Sequence, residues 1–170
     1  MLDQFKTFAR YNRWANQTLY AACDKLDDAP YYADRKAFFG SIHNTLNHLV
    51  LTDRIWLGRI LGQPNPPHAL NHVLYAGRGE LRQARIAEDE RLIGIVDGFS
   101  EERLGQDIVY ANMSGAPQRT KLALVLSHLF NHETHHRGQV HDMLSQASQK
   151  PPELDLIFFI RLQQRAAASG

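Results

Sequence analysis

The chain has little cysteine, no long apolar run and no marked excess of either charge. Cys23 is the single cysteine in 170 residues, so no disulfide can form within one chain, which suits a reducing cytoplasm. No stretch reaches the roughly 18 consecutive apolar residues of a membrane span, so no membrane partner is expected. Met1-Leu-Asp-Gln-Phe-Lys lacks the apolar core of a secretory signal, and a cytoplasmic location is expected. The formal net charge is +1 with no basic run, which gives no electrostatic footprint for nucleic acid. No repeat recurs at a solenoid period and no segment is of low complexity. A single domain spanning residues 1–170, with a sizeable core, is the expectation.

Histidine is what the chain has in concentration. His128, His132, His135 and His136 fall within nine residues. A helix turns by roughly 100° per residue, so residues four apart lie one above the other. With His128 at zero, Leu122, Val125, Leu126, Leu129, Val140, Met143 and Leu144 fall between roughly 60° and 160° on the wheel. His132, near ~40°, and His136, near ~80°, lie at the edge of that apolar arc or inside it, while His128 and Gln139 sit just beyond it. Two imidazoles one turn apart, facing a core, suit a shared zinc, nickel, copper or iron ion. A third ligand has to come from another element.

Apolar residues recur at three- and four-residue spacing from Leu2 to Leu26, which predicts a long first helix that Pro30 closes off. Tyr11-Asn-Arg-Trp14-Ala-Asn16 in its middle reads as packing with side-chain hydrogen bonds. A second helix starts at Ser41, a natural N-cap with Phe39 as a staple, and runs to about Leu61. His48 borders its buried side, His43 looks more exposed, and Asp53 falls inside the apolar stripe, where a carboxylate needs a partner. A loop with Pro64-Asn-Pro-Pro67, His68 and His72 follows. Glu80 to Phe99 reads as a third helix with one broad solvated face. Asp107 to Pro117 reads as a hairpin or an extended crossover. Thr120 is expected to cap the fourth, histidine-bearing helix, which runs to about Ser145. Leu154 to Leu162 is apolar almost all round and predicts a short extra helix buried against the bundle or another subunit. Four amphipathic helices with long connections predict an all-α, antiparallel four-helix bundle. In such a bundle His48 is the best third ligand. Two histidines plus one leave positions open, which is the catalytic pattern.

Asn12-Arg-Trp14-Ala-Asn16, Asn47-His48-Leu49 with Asp53 and Trp56, Asn131-His132, His135-His136-Arg-Gly-Gln139-Val140 and Pro152-Glu-Leu-Asp-Leu156 together resemble the DinB-like family of metalloenzymes. The resemblance spans nearly the whole chain, and His-His-Arg-Gly-Gln is its most specific part. It implies a bundle that is often a homodimer. It also implies a divalent metal, usually nickel or zinc, held by three histidines that fall here on His48, His132 and His136. In the wider superfamily it implies transferases and isomerases that use a low-molecular-weight thiol.

Three functions compete at this level. The first is a metal-dependent transferase or hydrolase acting on a small molecule, with His128, Asn44 and Gln139 available to orient ligands or substrate. The second is a zinc peptidase, because His132-Glu133-Thr-His-His136 matches His-Glu-x-x-His. Its extended form fails, since Gly138 and His141 are one residue out of register. The third is a non-enzymatic metal-binding stress protein. Glu133 separates the first two: a peptidase uses it as a general base, whereas a bundle enzyme leaves it to pair with a nearby arginine or tyrosine.

Overall fold

The computed structural model describes residues 1–168. In chain order its elements are α1 (Leu2–Cys23), α2 (Asp28–Tyr32), α3 (Ile42–Ile60), α4 (Arg78–Asp97), α5 (Glu101–Gly105), β1 (Asp107–Ala111), β2 (Pro117–Lys121), α6 (Leu122–Gln146) and α7 (Leu156–Ala168). The architecture is all-α: α1, α3, α4 and α6 form a four-helix bundle, joined by short helices and one two-stranded hairpin.

Local chemistry sets most of the boundaries. Ser41 caps α3, its Oγ accepting the Asn44 N–H at 3.2 Å. Pro30 lies inside the short α2, near its start, where a helix needs no N–H from it. Thr120 is not the cap of α6; it belongs to β2, paired with Ile108. The strand runs directly into the helix, Lys121 stands at the N-cap without a side-chain bond, and the Leu122 N–H donates to the Gln106 carbonyl at 2.9 Å. The third long helix begins and ends two residues earlier than expected, and α5 was not legible as a helix. The segment 107–121 is a hairpin, resolving the two alternatives.

Side-chain pairs give the helix directions. Arg10 meets Asp97 and Asn16 meets Asp89, so α1 and α4 are antiparallel. His48 meets His132 while Trp56 meets His128, so α3 and α6 are antiparallel. Phe5 meets Phe130 and Arg137 meets Asn12, so α1 and α6 run the same way. By the same logic α3 and α4 are also parallel, which requires the connection 61–77 to return the full length of the bundle. It does so as a strap along α3. Asn65 binds Arg59 near one end, the Leu70 carbonyl meets His48, and the Tyr75 N–H donates to Asn47 near the other.

The apolar core has two layers. One gathers Leu19, Leu46, Leu49, Leu81, Val140 and Leu144; the other gathers Phe5, Leu57, Leu92, Val96, Leu126 and Leu129. Between them lies a polar layer drawn from all four long helices: Asn12 and Asn16, Asp53, Arg85 and Asp89, Glu133 and Arg137. The solvated face expected of the third helix is thus narrower than its charge suggests, because Arg85, Glu88 and Asp89 point inward. The α7 helix is less buried than its composition implied. Phe159 packs on Tyr11 and Trp14, whereas Ile157 and Leu162 remain 47% and 46% exposed within this chain.

Candidate metal centre

His132 and His136 project from adjacent turns of α6, and His48 reaches them from the facing α3. His132 Nε2 lies 3.3 Å from His48 Nε2 and 3.1 Å from His136 Nε2. One ligand nitrogen from each of the three falls within 4.8 Å of the others, the one such cluster of histidine, cysteine or carboxylate groups among the described residues. Four-coordinate zinc, with Zn–N of about 2.0–2.1 Å, separates neighbouring ligand nitrogens by roughly 3.3 Å. The spacing of the imidazoles therefore fits a single small cation with a coordination position left open.

The far side of two rings is already occupied. His48 Nδ1 donates to the Leu70 carbonyl at 2.8 Å, and His136 Nδ1 donates to Gln139 Oε1 at 2.7 Å. Carbonyl and amide oxygens only accept, so each Nδ1 carries the proton and each Nε2 offers a bare lone pair toward the cluster. Burial keeps the rings neutral. It pushes His48 down to about 4 against the raising effect of the Leu70 carbonyl. Burial, then the charges of His136 and His48, push His132 down to about 3. His136 is also lowered, chiefly by burial. The Nε2 lone pairs of His48 and His136 both face His132 Nε2, and a cation at that point would accept a lone pair from each of the three rings.

The supporting residues were only partly legible in the sequence. Phe39 does not staple the entry to α3; its ring stacks on His48 at 4.0 Å and covers one face of the site. The Leu70 carbonyl has no sequence signal, since any residue supplies one. Gln139 takes the orienting role considered for it and also meets His135, Nε2 to Nε2, at 3.2 Å. His128 lies beyond the cluster, its ring 5.8 Å from that of His132 and 4.8 Å from Trp56. Asn44 engages the N-cap through its backbone rather than the cluster. His43 is buried, not exposed: its Nε2 donates to the Tyr75 carbonyl at 2.8 Å and its ring packs on Tyr31 and Tyr32. His68 and His72 stack on each other at 4.3 Å within the strap, outside the cluster.

Glu133 follows His132 directly in sequence but faces the polar layer. It is fully buried, with Arg137 Nη1 donating to Oε2 at 2.9 Å and Arg85 Nη1 to Oε1 at 3.4 Å. Both oxygens are held by guanidinium groups away from the three imidazoles, so the His-Glu-x-x-His match lacks the geometry of a general base beside a metal. Asp53 has the partner it required, Arg85 Nη2 at 2.7 Å, and Asp89 lies 3.0 Å from the same nitrogen. The short contact to Asp53 is an ion pair without hydrogen-bond alignment, since Asp53 Oδ2 and Arg85 Nη2 have no aligned partner. Among the described residues, no helix is long and apolar enough to cross a membrane.

Comparison with known proteins agrees with this architecture. The protein DinB of Bacillus subtilis (strain 168) is 27% identical over 173 residues, covering 95% of this chain and 97% of that protein. The structure of YfiT from Bacillus subtilis, described as a probable metal-dependent hydrolase with an unusual four-helix bundle topology, matches with a TM-score of 0.69 at 9% identity, covering 87% of this chain and 90% of that one. A DinB-like protein from Bacillus cereus ATCC 10987 matches with a TM-score of 0.64 at 16% identity, covering 86% and 94%. The DinB family profile matches residues 1–167, nearly the whole length over which the bundle and its histidines have been described, and the chain belongs to the DinB family.

Proposed function

We propose that the protein is a metal-dependent enzyme of small-molecule chemistry, a hydrolase or a thiol-dependent transferase, with a divalent ion, nickel or zinc, held by His48, His132 and His136. The observation that carries this reading is the convergence of three ring nitrogens, with the opposite nitrogens of His48 and His136 pinned by Leu70 and Gln139. A divalent ion at that point supplies Lewis acidity, which brings the pKa of a water or thiol toward neutrality. The chain's own contribution is to fix the ring tautomers, cover one face with Phe39 and leave a position open for a ligand. Cys23 does not serve as the thiol. It is buried, and burial pushes it up to about 12, so the thiol of a transferase reaction comes from a separate small molecule.

The same reading takes the chain as one domain that works in the cytoplasm as a homodimer. Support for the dimer is the exposure of two large apolar side chains of α7, Ile157 and Leu162. Light scattering at micromolar concentration is expected to return twice the 19.4 kDa chain mass, and a monomer there removes the dimer from the reading.

The test is metal stoichiometry in protein purified without an affinity tag, for wild type and for His48→Ala, His132→Ala and His136→Ala. One ion per wild-type chain and near-complete loss in each variant is the expected result. Full retention after loss of His132 or His136 overturns the assignment. The reconstituted protein is then offered ester and amide substrates beside electrophiles paired with different low-molecular-weight thiols. Turnover in either panel that disappears with His132→Ala identifies the reaction class.

A further inference from the structure

Three arginines are buried among the described residues: Arg59, Arg85 and Arg137. Arg85 and Arg137 are surrounded by Asp53, Asp89 and Glu133. Arg59 is different. It is only 6% exposed, yet its one hydrogen bond among the described residues runs from Nε to Asn65 Oδ1 at 2.9 Å, and no carboxylate faces it. Its guanidinium lies against two rings that themselves pack edge to face, 4.5 Å from the centroid of Trp56 and 5.0 Å from that of Tyr110. Those rings hold the plane in place by cation–π attraction and leave the Nη1–Nη2 edge unpaired. A buried cation without a counter-charge is unfavourable, and the C-terminal dipole of α3 offsets only a small part of that. Burial accordingly lowers the pKa of Arg59.

Arg59 also has a defined place relative to the histidines. On α3, residues 48, 52, 56 and 59 form one stripe, because eleven residues make close to three turns. The arginine side chain leans back over Trp56, toward the N-terminal end where His48 lies. Across the seam, His128 precedes His132 by one turn of α6 and packs on Trp56 at 4.8 Å. The strap closes the other side, bonded to Arg59 through Asn65 and to His48 through Leu70. Five residues of chain reach at most about 17 Å, which bounds the separation of those two anchors. The three imidazoles, exposed His128, half-buried Trp56 and Arg59 thus follow one another along the seam between α3 and α6.

We propose that Arg59 is the substrate-recognising residue of this site and takes a carboxylate, so that the ligand is a carboxylate-bearing small molecule whose reacting end lies at the three histidines. The proposal rests on the reading of those histidines as the reaction centre, but the subsite itself does not require the metal. A planar guanidinium with a free two-nitrogen edge matches the fork of a carboxylate.

The experiment has a metal-free arm and a metal-loaded arm. In the first, hexanoate and hexanol are titrated into the metal-free protein while the His128 and Trp56 side-chain NMR signals are followed. Hexanoate is expected to shift both signals in wild type and in His132→Ala, hexanol is not, and Arg59→Gln is expected to abolish the hexanoate response. Arg59→Lys keeps the charge without the fork and is expected to fall between. Asn65→Ala releases the strap but leaves the guanidinium, and is expected to keep most of the response. No hexanoate shift in wild type, an unchanged shift in Arg59→Gln, or equal losses in Arg59→Gln and Asn65→Ala would each overturn the proposal. In the second arm, cobalt-loaded protein is titrated with ω-mercaptocarboxylates and matched ω-mercaptoalcohols of increasing length, read by thiolate–cobalt absorption. At the length that spans from the histidines to Arg59, the carboxylate is expected to bind about tenfold more tightly. Arg59→Gln is expected to erase that difference and leave the alcohol unchanged. Equal affinities at every length refute the placement of both ends in one ligand. Failure to load cobalt, with the hexanoate response intact, counts against the metal reading and not against Arg59.

Discussion

His132 and Glu133 are consecutive residues on α6, yet they belong to two interior polar regions built on opposite rules. On the Glu133 side, Asp53, Asp89 and Glu133 are matched against Arg85 and Arg137, with Asn12 and Asn16 completing the layer. Three carboxylates face two arginines there, and burial, then the neighbouring Glu133 carboxylate, raise Asp53 well above the usual carboxylate range. On the His132 side, three imidazole Nε2 atoms converge, and no other side chain hydrogen-bonds to them among the described residues. The first region meets its carboxylates with arginines of the chain and stabilises the bundle, although Asp53 Oδ2, Arg85 Nε and Nη2 and Asp89 Oδ2 lack aligned hydrogen bonds; the second gathers three imidazoles with no charged partner. What separates the two is therefore whether the chain supplies the counter-charge, not how many polar groups it buries.

The largest effect that would break this comparison is expected at Arg85. Its side chain is 2% exposed and in ionic contact with carboxylates from three helices. Arg85→Met leaves buried charge unpaired and should lower stability by about 3–5 kcal/mol, which for this chain length is on the order of 10 °C in Tm. The folded fraction should still bind one metal ion, and loss of metal without loss of stability would merge the two regions into one.

Gln139→Ala sharpens the contrast from the other side. It removes the acceptor that fixes the His136 tautomer and should weaken metal affinity by about 10–100-fold with little change in thermal unfolding. Competition with a chromophoric chelator measures it, and unchanged affinity would mean that Gln139 does not orient the ring.

Glu133→Gln is expected to be milder than Arg85→Met, because the amide still accepts one hydrogen bond. A loss of about 1–2 kcal/mol is expected, with full metal occupancy and most of the wild-type thiol-dependent or hydrolytic turnover retained. Metal-dependent peptide cleavage that vanishes in this variant would restore the peptidase reading.

A further test of the contrast is the pH dependence of the metal-free protein. His48 and His132 are lowered to about 4 and about 3 in the folded chain, whereas an unfolded histidine titrates near ~6.5. The unfolded chain takes up these protons first. The stability contributed by neutral rings is therefore present above about pH 6.5 and is lost as the pH falls from there toward 4. Urea midpoints measured with chelator present should decline across that window in wild type and decline less in a His48→Ala, His132→Ala double variant. Identical slopes would show that the rings are not held neutral.

The sequence carried the bundle and the three histidines because both are periodic signals. His132 and His136 are one helical turn apart, and His48 shares the buried side of another long helix, so their convergence needed only that α3 and α6 face each other. It also carried the need of Asp53 and Glu133 for cationic partners, because a carboxylate in an apolar stripe cannot stay unpaired. Phe39 over His48, the Leu70 carbonyl behind it, the burial of His43 and the isolation of Arg59 were not legible. They depend on the strap 61–77 and the segment before α3, whose paths no periodicity describes. Arg59 in particular reads in sequence as an ordinary basic residue near a helix C-terminus.

Sequence alone thus determined the elements that repeat with the helical period: four amphipathic helices, the inward histidine pair on one of them, and the third histidine on another. Tertiary structure alone decided which helices run parallel, which buried charges meet, and which buried arginine is left without a carboxylate. Those outcomes depend on the path of a long connection and on contacts between residues far apart in sequence, and local spacing holds no record of either.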